Sequence, residues 1–337
     1  MMNQGDPNGS DVFNSTNPEV IHSLIQTIFS TTKCYDLMQN SSKATVFETT
    51  IPFQLAFFAL VEHDTDIAPL WDPERRQFVG LMTGTDYIHA LRIWRAQSIP
   101  TTELTSKTIA EMMHSAGLLF RHAEFMPVDA EDSVQQMCAL LLRTETEYVP
   151  VVDADNGNLV SILGFLDVVQ LLNQAAMQHP NLFARTIKEA NIGTFHNVLT
   201  APKTAKLWEV LDVLEQRNLS GLPVVDEQNK VVGFYHRSDV SFIIKAADTD
   251  MVLSNLSNYS VGESMALREQ LLLSGDIMSS SQGLAVSRLG DSLGSALLAM
   301  LRNRSSRVVV VNDLHQCVGV LSIKDLIKHY IGSQLSY

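Results

Sequence analysis

The apolar positions of this chain change period in a fixed order, and that order recurs. The stretch "LPVVDEQNKVVGFYHRSDV" (222–240) reads as a strand, a polar turn, a second strand and the start of a helix. β-Branched and aromatic runs flank a turn of Asp, Asn and Lys, which is the pattern of a hairpin. Three other stretches repeat it: "IAPLWDPERRQFVGLMTGTDYI" (67–88), "YVPVVDADNGNLVSILGFLDVV" (148–169) and "SRVVVVNDLHQCVGVLSIKDLI" (306–327). An acid heads the last helix each time. These acids are Asp86, Asp167, Asp239 and Asp325, and they lie 81, 72 and 86 residues apart.

Upstream of each hairpin the period becomes helical. Phe53, Ala56, Phe57 and Leu60 fall at i, i+3, i+4 and i+7. So do Val134, Met137, Cys138 and Leu141, then Leu207, Val210, Leu211 and Leu214, then Leu293, Ala296, Leu297 and Met300. Such stripes predict amphipathic helices lying on a core. Thr50, Asp132, Thr204 and Asp291 stand just ahead, where N-caps are expected. Each unit therefore reads helix, strand, turn, strand, helix, and four copies give an α/β fold of internal repeats.

A unit of this size buries too little surface to stand alone, so the four are expected to form two tandem pairs. The predicted boundaries are 33–97, 108–176, 183–249 and 250–333, the last including a helix before the repeat proper. Residues 1–30, beginning "MMNQGDPNGSDVFNSTNPEV", are expected to form a flexible tail, with neither a signal peptide nor a membrane span.

Composition narrows the function. The 337 residues carry 24 basic and 37 acidic groups, a net charge of −13, which disfavours nucleic acid and anionic membrane as partners. Cys34, Cys138 and Cys317 are widely spaced and read as reduced thiols. "DADNG" (153–157) resembles a calcium loop, but Gly157 is misplaced and Gly164 stands where a bidentate Glu belongs, so a hairpin turn is expected. No nucleotide-hydrolysis, nucleophile-elbow or zinc-protease motif occurs. No catalytic or metal-binding residue is predicted.

A helix–strand–strand–helix unit with a Pro-Val-Val-Asp strand and a closing Ser/Thr-x-x-Asp resembles the cystathionine-β-synthase-type (CBS) domain. Four of them resemble the γ regulatory subunits of AMP-activated protein kinase. The first unit carries the likeness best, in "KCYDLMQNSSKATVFETT" (33–50), "AFFALV" (56–61), "APLWD" (68–72) and "FVGLMTGTDYIHAL" (78–91). "NIGTFHNV" (191–198) and "VVVVNDLHQCVGVLSIKDLI" (308–327) add to it. The resemblance implies two tandem pairs (Bateman-type modules) in a flat disk, with AMP, ADP or ATP as regulatory ligands and no obligatory cofactor. It also implies catalytic α and scaffolding β kinase subunits as partners, β pairing near the start of the first unit. The implied location is the cytoplasm, with the nucleus also open.

In such subunits the closing Asp binds ribose and basic side chains gather on phosphate. Thr83, Thr85 and Asp86 match the first closing motif, Asp239 the third, and Ser322 and Asp325 the fourth; Thr194 and Ser220 match small ligand residues. An ionised Asp accepts only, which suits a vicinal diol. Asp167 stands where Arg is usual, and a helix-capping role is favoured there. Basic groups are replaced at Asp66, at Glu147 and Tyr148, at Leu166 and at Ser306, while Arg307 remains for phosphate. His236 and Arg237 are candidates to replace them, against a reading as exposed side chains at a strand end. Nucleotide binding is thus expected to be weakened or confined to fewer sites. The alternatives are a structural subunit that binds no nucleotide and a sensor of another adenosine-containing ligand.

Overall fold

A computed structural model describes residues 17–38, 44–63, 65–97, 106–114, 124–244, 258–274 and 283–332. Among them are four three-stranded sheets, one per repeat, in the orders β1-β2-β3, β4-β5-β6, β7-β8-β9 and β10-β11-β12. The first repeat uses β1 (Phe47–Glu48), β2 (Ile67–Asp72) and β3 (Gln77–Thr83); the second β4 (Val128–Asp129), β5 (Tyr148–Val152) and β6 (Leu159–Gly164). The third uses β7 (Ala201–Pro202), β8 (Gly221–Val225) and β9 (Val231–His236); the fourth β10 (Val286–Arg288), β11 (Arg307–Val311) and β12 (Cys317–Ser322). In every sheet a short strand pairs parallel to the middle one, which pairs antiparallel to the third.

The four hairpins share two devices. An Asp or Asn closes the turn with its own side chain. Asp72 Oδ1 accepts from Glu74 N, Asp153 Oδ1 from Asp155 N, Asp226 Oδ1 from Gln228 N and Asn312 Oδ1 from Leu314 N. Asp153 is thereby engaged in its own turn, and no group of three or more acid, His or Cys side chains able to hold a metal occurs among the described residues. Each ladder also slips once, at Leu70/Trp71, Val151/Val152, Val224/Val225 and Val310/Val311. One extra residue on the third strand makes the bulge, and it is a valine each time: Val79, Val160, Val232 and Val318.

The sixteen positions of the four apolar stripes are all buried, as their helical spacing requires. The helices begin later than the expected caps. Ser133 and Ser292 accept from the third amide of their helices, Gln136 N at 3.2 Å and Ser295 N at 3.1 Å. Asp132 and Asp291 instead accept from Asp129 N and Arg288 N, closing the turn before the helix. Lys206 replaces Thr204 at the start of Leu207–Gln216, and Thr50 precedes Phe53–Glu62 with its hydroxyl on Glu48. A short serine hydroxyl on the last extended residue reaches the orphan amides, leaving the acid for the turn.

The expected tail does not extend to residue 30. Pro18–Thr31 is a helix, α1, with Asn17 as its cap and Ile21, Ile25 and Phe29 buried. Pro18 at its first turn needs no amide partner there. Residues 1–16 lie outside the described part of the chain.

The short leader before each repeat docks on the other repeat of its tandem pair. Cys34 N and Tyr35 N, from the first leader, donate to Asp132 O and Ala130 O in the second repeat, and Val134 N donates back to Thr32 O. Ile109 N and Ala110 N, from the second leader, donate to Ile51 O and Thr49 O in the first. The third and fourth repeats exchange leaders identically, Ile187 N to Asp291 O and Val261 N to Ala205 O. This exchange divides the chain into two compact units. One holds the described residues within 1–42, 127–198 and 282–337, with the bodies of the second and fourth repeats; the other holds the described residues within 43–126 and 199–281, with the first and third.

Candidate functional site

In the unit of the first and third repeats, two closing motifs meet. The helix Gly84–Gln97 starts with Asp86 at its third position, and the turn Arg237–Asp239 starts the third repeat's closing helix. Their approach is close: a Cβ at Gly84 would lie 3.1 Å from Ser238 Cα and 3.2 Å from Arg237 O. Arg237 crosses this contact, its Nη1 donating to Thr85 Oγ1 at 3.4 Å and its Nη2 to Leu214 O at 2.6 Å.

The heading acids are not N-caps themselves. Each sits at the third helical position and accepts from the backbone amide three residues earlier, the acid half of a capping box. Asp86 Oδ2 accepts from Thr83 N at 2.7 Å and Thr83 Oγ1 at 3.1 Å. Asp239 Oδ2 accepts from His236 N at 2.9 Å. Asp86 is only 3% exposed, and burial pushes its carboxyl up to about 7 despite those bonds. The ring of His236, a candidate from sequence to replace a lost basic group, is buried rather than exposed and shares a hydrogen bond with Ser238 Oγ at 2.8 Å. His236 is the last residue of β9, where it and its neighbour Tyr235 are both buried, so both faces of the strand end are covered. Ser220, one residue before β8, receives Arg237 N on its carbonyl.

Asp239 has a partner that the sequence reading missed. Arg268 Nη1 lies 3.0 Å from Asp239 Oδ1 and 3.1 Å from Oδ2. Both side chains are largely buried, and the Asp239 carboxylate raises the affinity of the Arg268 guanidinium for its proton. Arg268 lies on Val261–Ser274, the leader of the fourth repeat, so leader exchange delivers it. No local motif marks it in the sequence. Arg268 Nε and Tyr87 Oη are buried in this unit without a hydrogen-bond partner.

The unit of the second and fourth repeats holds Asp167, Thr194, Arg307, Ser322 and Asp325. Asp325 Oδ2 accepts from Ser322 N at 2.9 Å and Ser322 Oγ at 2.7 Å. Asp167 accepts from Gly164 N at 2.7 Å, and burial pushes it up to about 6. Lys324 Nζ stands 5.9 Å above the Phe165 ring, joining the two closing motifs, and burial pulls its ammonium below the ordinary range. Thr194 forms an isolated bridge to Val320 on β12 through 2.8 and 2.9 Å backbone bonds, with its residue exposed. Arg307, the one basic group expected to remain for phosphate, has its Nη2 on Glu147 Oε1 at 2.8 Å and on Ser306 Oγ at 3.1 Å.

A separate cavity of about 400 Å³ lies in this unit, lined by His22, Leu182, Arg185, Leu293, His329 and Tyr330 among others. None of the candidate residues lines it. No helix among the described residues is long and apolar enough to cross a membrane.

The CBS domain family model matches residues 191–246 and 275–332. The chain is 32% identical over 303 residues to subunit γ-3 of human 5′-AMP-activated protein kinase, covering 89% of this chain and 59% of that one. The bovine γ-3 subunit is 30% identical over 304 residues, with 89% and 58% covered. The chain thus spans less than two thirds of the length of these relatives. Among solved structures, protein MJ1225 from Methanocaldococcus jannaschii, described as an archaeal homologue of γ-AMPK, has a TM-score of 0.69 at 16% identity. That alignment covers 88% of this chain and 99% of the other, and it shows a shared fold.

Proposed function

We propose that this chain of four repeats, similar to CBS domains and to γ-3 subunits, is a non-catalytic regulatory γ-type subunit of an AMP-activated-protein-kinase-like heterotrimer. It would bind adenine nucleotides, weakly and at fewer sites than four closing acids allow, and so bias the kinase toward or away from its active arrangement. Its partners on this reading are a catalytic α and a scaffolding β subunit, in the cytoplasm or nucleus. The supporting observation is the set of four closing carboxylates. Asp86, Asp167 and Asp325 take their capping-box bonds on Oδ2 alone and keep Oδ1 as an acceptor that a ribose diol can use, whereas both oxygens of Asp239 already face Arg268.

The ion pairs favour a second reading. Asp239 is engaged by Arg268, and Arg307 by Glu147, so one acid and one base of the expected ligand set already have internal partners. A structural subunit that assembles with α and β but takes no nucleotide fits that observation. Co-expression with α and β followed by calorimetric titration of AMP, ADP, ATP and adenosine separates the readings. Co-purification with saturable heat supports the regulatory one. Co-purification without heat supports the structural one, and failure to assemble overturns both.

A further inference from the structure

Glu147 and Arg307 occupy a position set by strand register. Tyr148 pairs with Gly164 and Arg307 with Ser322, each three residues before a closing acid. By the same register Ile67 pairs with Thr83 and Gly221 with His236. Asp66, Glu147, Ser220 and Ser306 are therefore equivalent, each one residue before this pairing. In the fourth repeat that residue is a small serine, whose hydroxyl takes one bond from Arg307. In the second it is Glu147, whose carboxylate takes another.

The pair is embedded. The Arg307 side chain is 11% exposed and the Glu147 side chain 23%. Lys324 lies on the fourth repeat's closing helix, its Nζ 5.9 Å above the ring of Phe165, whose amide donates to Glu147 O. A cation thus holds one well-placed carboxylate, with a serine hydroxyl beside it. That is the composition of a phosphate seat, with a protein carboxylate in the phosphate's place. The carboxylate also has a fixed root. Glu147 O accepts from Phe165 N at 3.3 Å, and a Cβ at Gly164 would stand only 2.8 Å from that oxygen. An anion tethered on a rigid sheet edge competes intramolecularly, at a high effective concentration.

We propose that Glu147 is a built-in anion that occupies the seat formed by Arg307 and Ser306, and so excludes phosphate-bearing ligands from it. The identity of the excluded ligand as an adenine nucleotide rests on the proposed function; the masked seat does not. Glu147 then sets specificity, turning the site toward ligands uncharged at that end.

The test uses the full chain with Glu147→Ala and Glu147→Gln, the latter keeping side-chain volume should the former misfold. Inorganic phosphate, AMP and adenosine are titrated calorimetrically into each. Both variants are expected to gain at least about tenfold in affinity for phosphate and AMP, with adenosine unchanged. Adding Arg307→Ala should abolish the gain. If a folded Glu147→Gln chain binds adenosine as the wild type does but gains nothing for phosphate or AMP, the mask is overturned and the proposed function stands. If no chain binds adenosine while the variants gain phosphate, the mask stands and the proposed function fails. A gain that survives Arg307→Ala overturns the assigned seat.

Discussion

Asp86 is nearly sealed from solvent, and its surroundings fix how the first repeat responds to pH. Its carboxyl stands at about 7 in the folded chain against an ordinary 3.8. The folded state therefore binds this proton more tightly than the unfolded state, and stability falls as pH rises from about 4 to about 7. Asp86→Asn should remove that slope. Relative to wild type the variant is expected to gain across this window, by up to about 4 kcal/mol, read as the difference in Tm at several pH values. A difference constant with pH would contradict the assignment. Arg268 offers the opposite case. Arg268→Ala leaves the 5%-exposed Asp239 without its counter-charge and should cost about 3–5 kcal/mol in denaturant unfolding. Adding Asp239→Asn should recover much of that loss, giving a strong coupling in a double-mutant cycle. The closing acids were legible because four copies set them at one place in a pattern. Arg268 was not, since its tie to Asp239 spans 29 positions and depends on where a leader docks.

At the scale of elements, periodicity carried most of the information. The stripes fixed the four core helices, and the Asp or Asn after each middle strand fixed the hairpins. The bulges were hidden because Val79, Val160, Val232 and Val318 each read as ordinary strand residues. The helix Pro18–Thr31 was hidden by its neighbourhood, a polar stretch that outweighed the Asn-Pro start and the Ile21, Ile25, Phe29 spacing. Close packing between elements makes its own forecast. A Cβ at Gly164 would meet Tyr148 Cδ1 at 2.7 Å as well as Glu147 O at 2.8 Å. Gly164→Ala should therefore destabilise by about 1–3 kcal/mol. A substitution without effect on the unfolding midpoint would show that the strand edge yields freely.

At the scale of the whole molecule, leader exchange is the feature that no local pattern announces. It consists of backbone bonds between segments from about 56 to about 104 residues apart, such as Val261 N to Ala205 O and Ile187 N to Asp291 O, and periodicity is blind to those. It has a consequence for cooperativity, because the first leader belongs to one unit and the body of its repeat to the other. Leu297→Ala, in the core helix of the fourth repeat, should cost about 2–5 kcal/mol in the unit that also holds Cys34 and Tyr35. Hydrogen exchange should then show those two amides losing protection, while Ile109 and Ala110, in the other unit, keep theirs. The central claim is that the closing carboxylates receive an adenosine-containing ligand. It is tested most directly by calorimetric titration of AMP and adenosine into wild type and Asp325→Asn, a change that keeps an acceptor for Ser322 N but removes the charge. The expected result is saturable binding in the wild type that weakens in the variant. No heat with either ligand, or binding indifferent to the substitution, would contradict it.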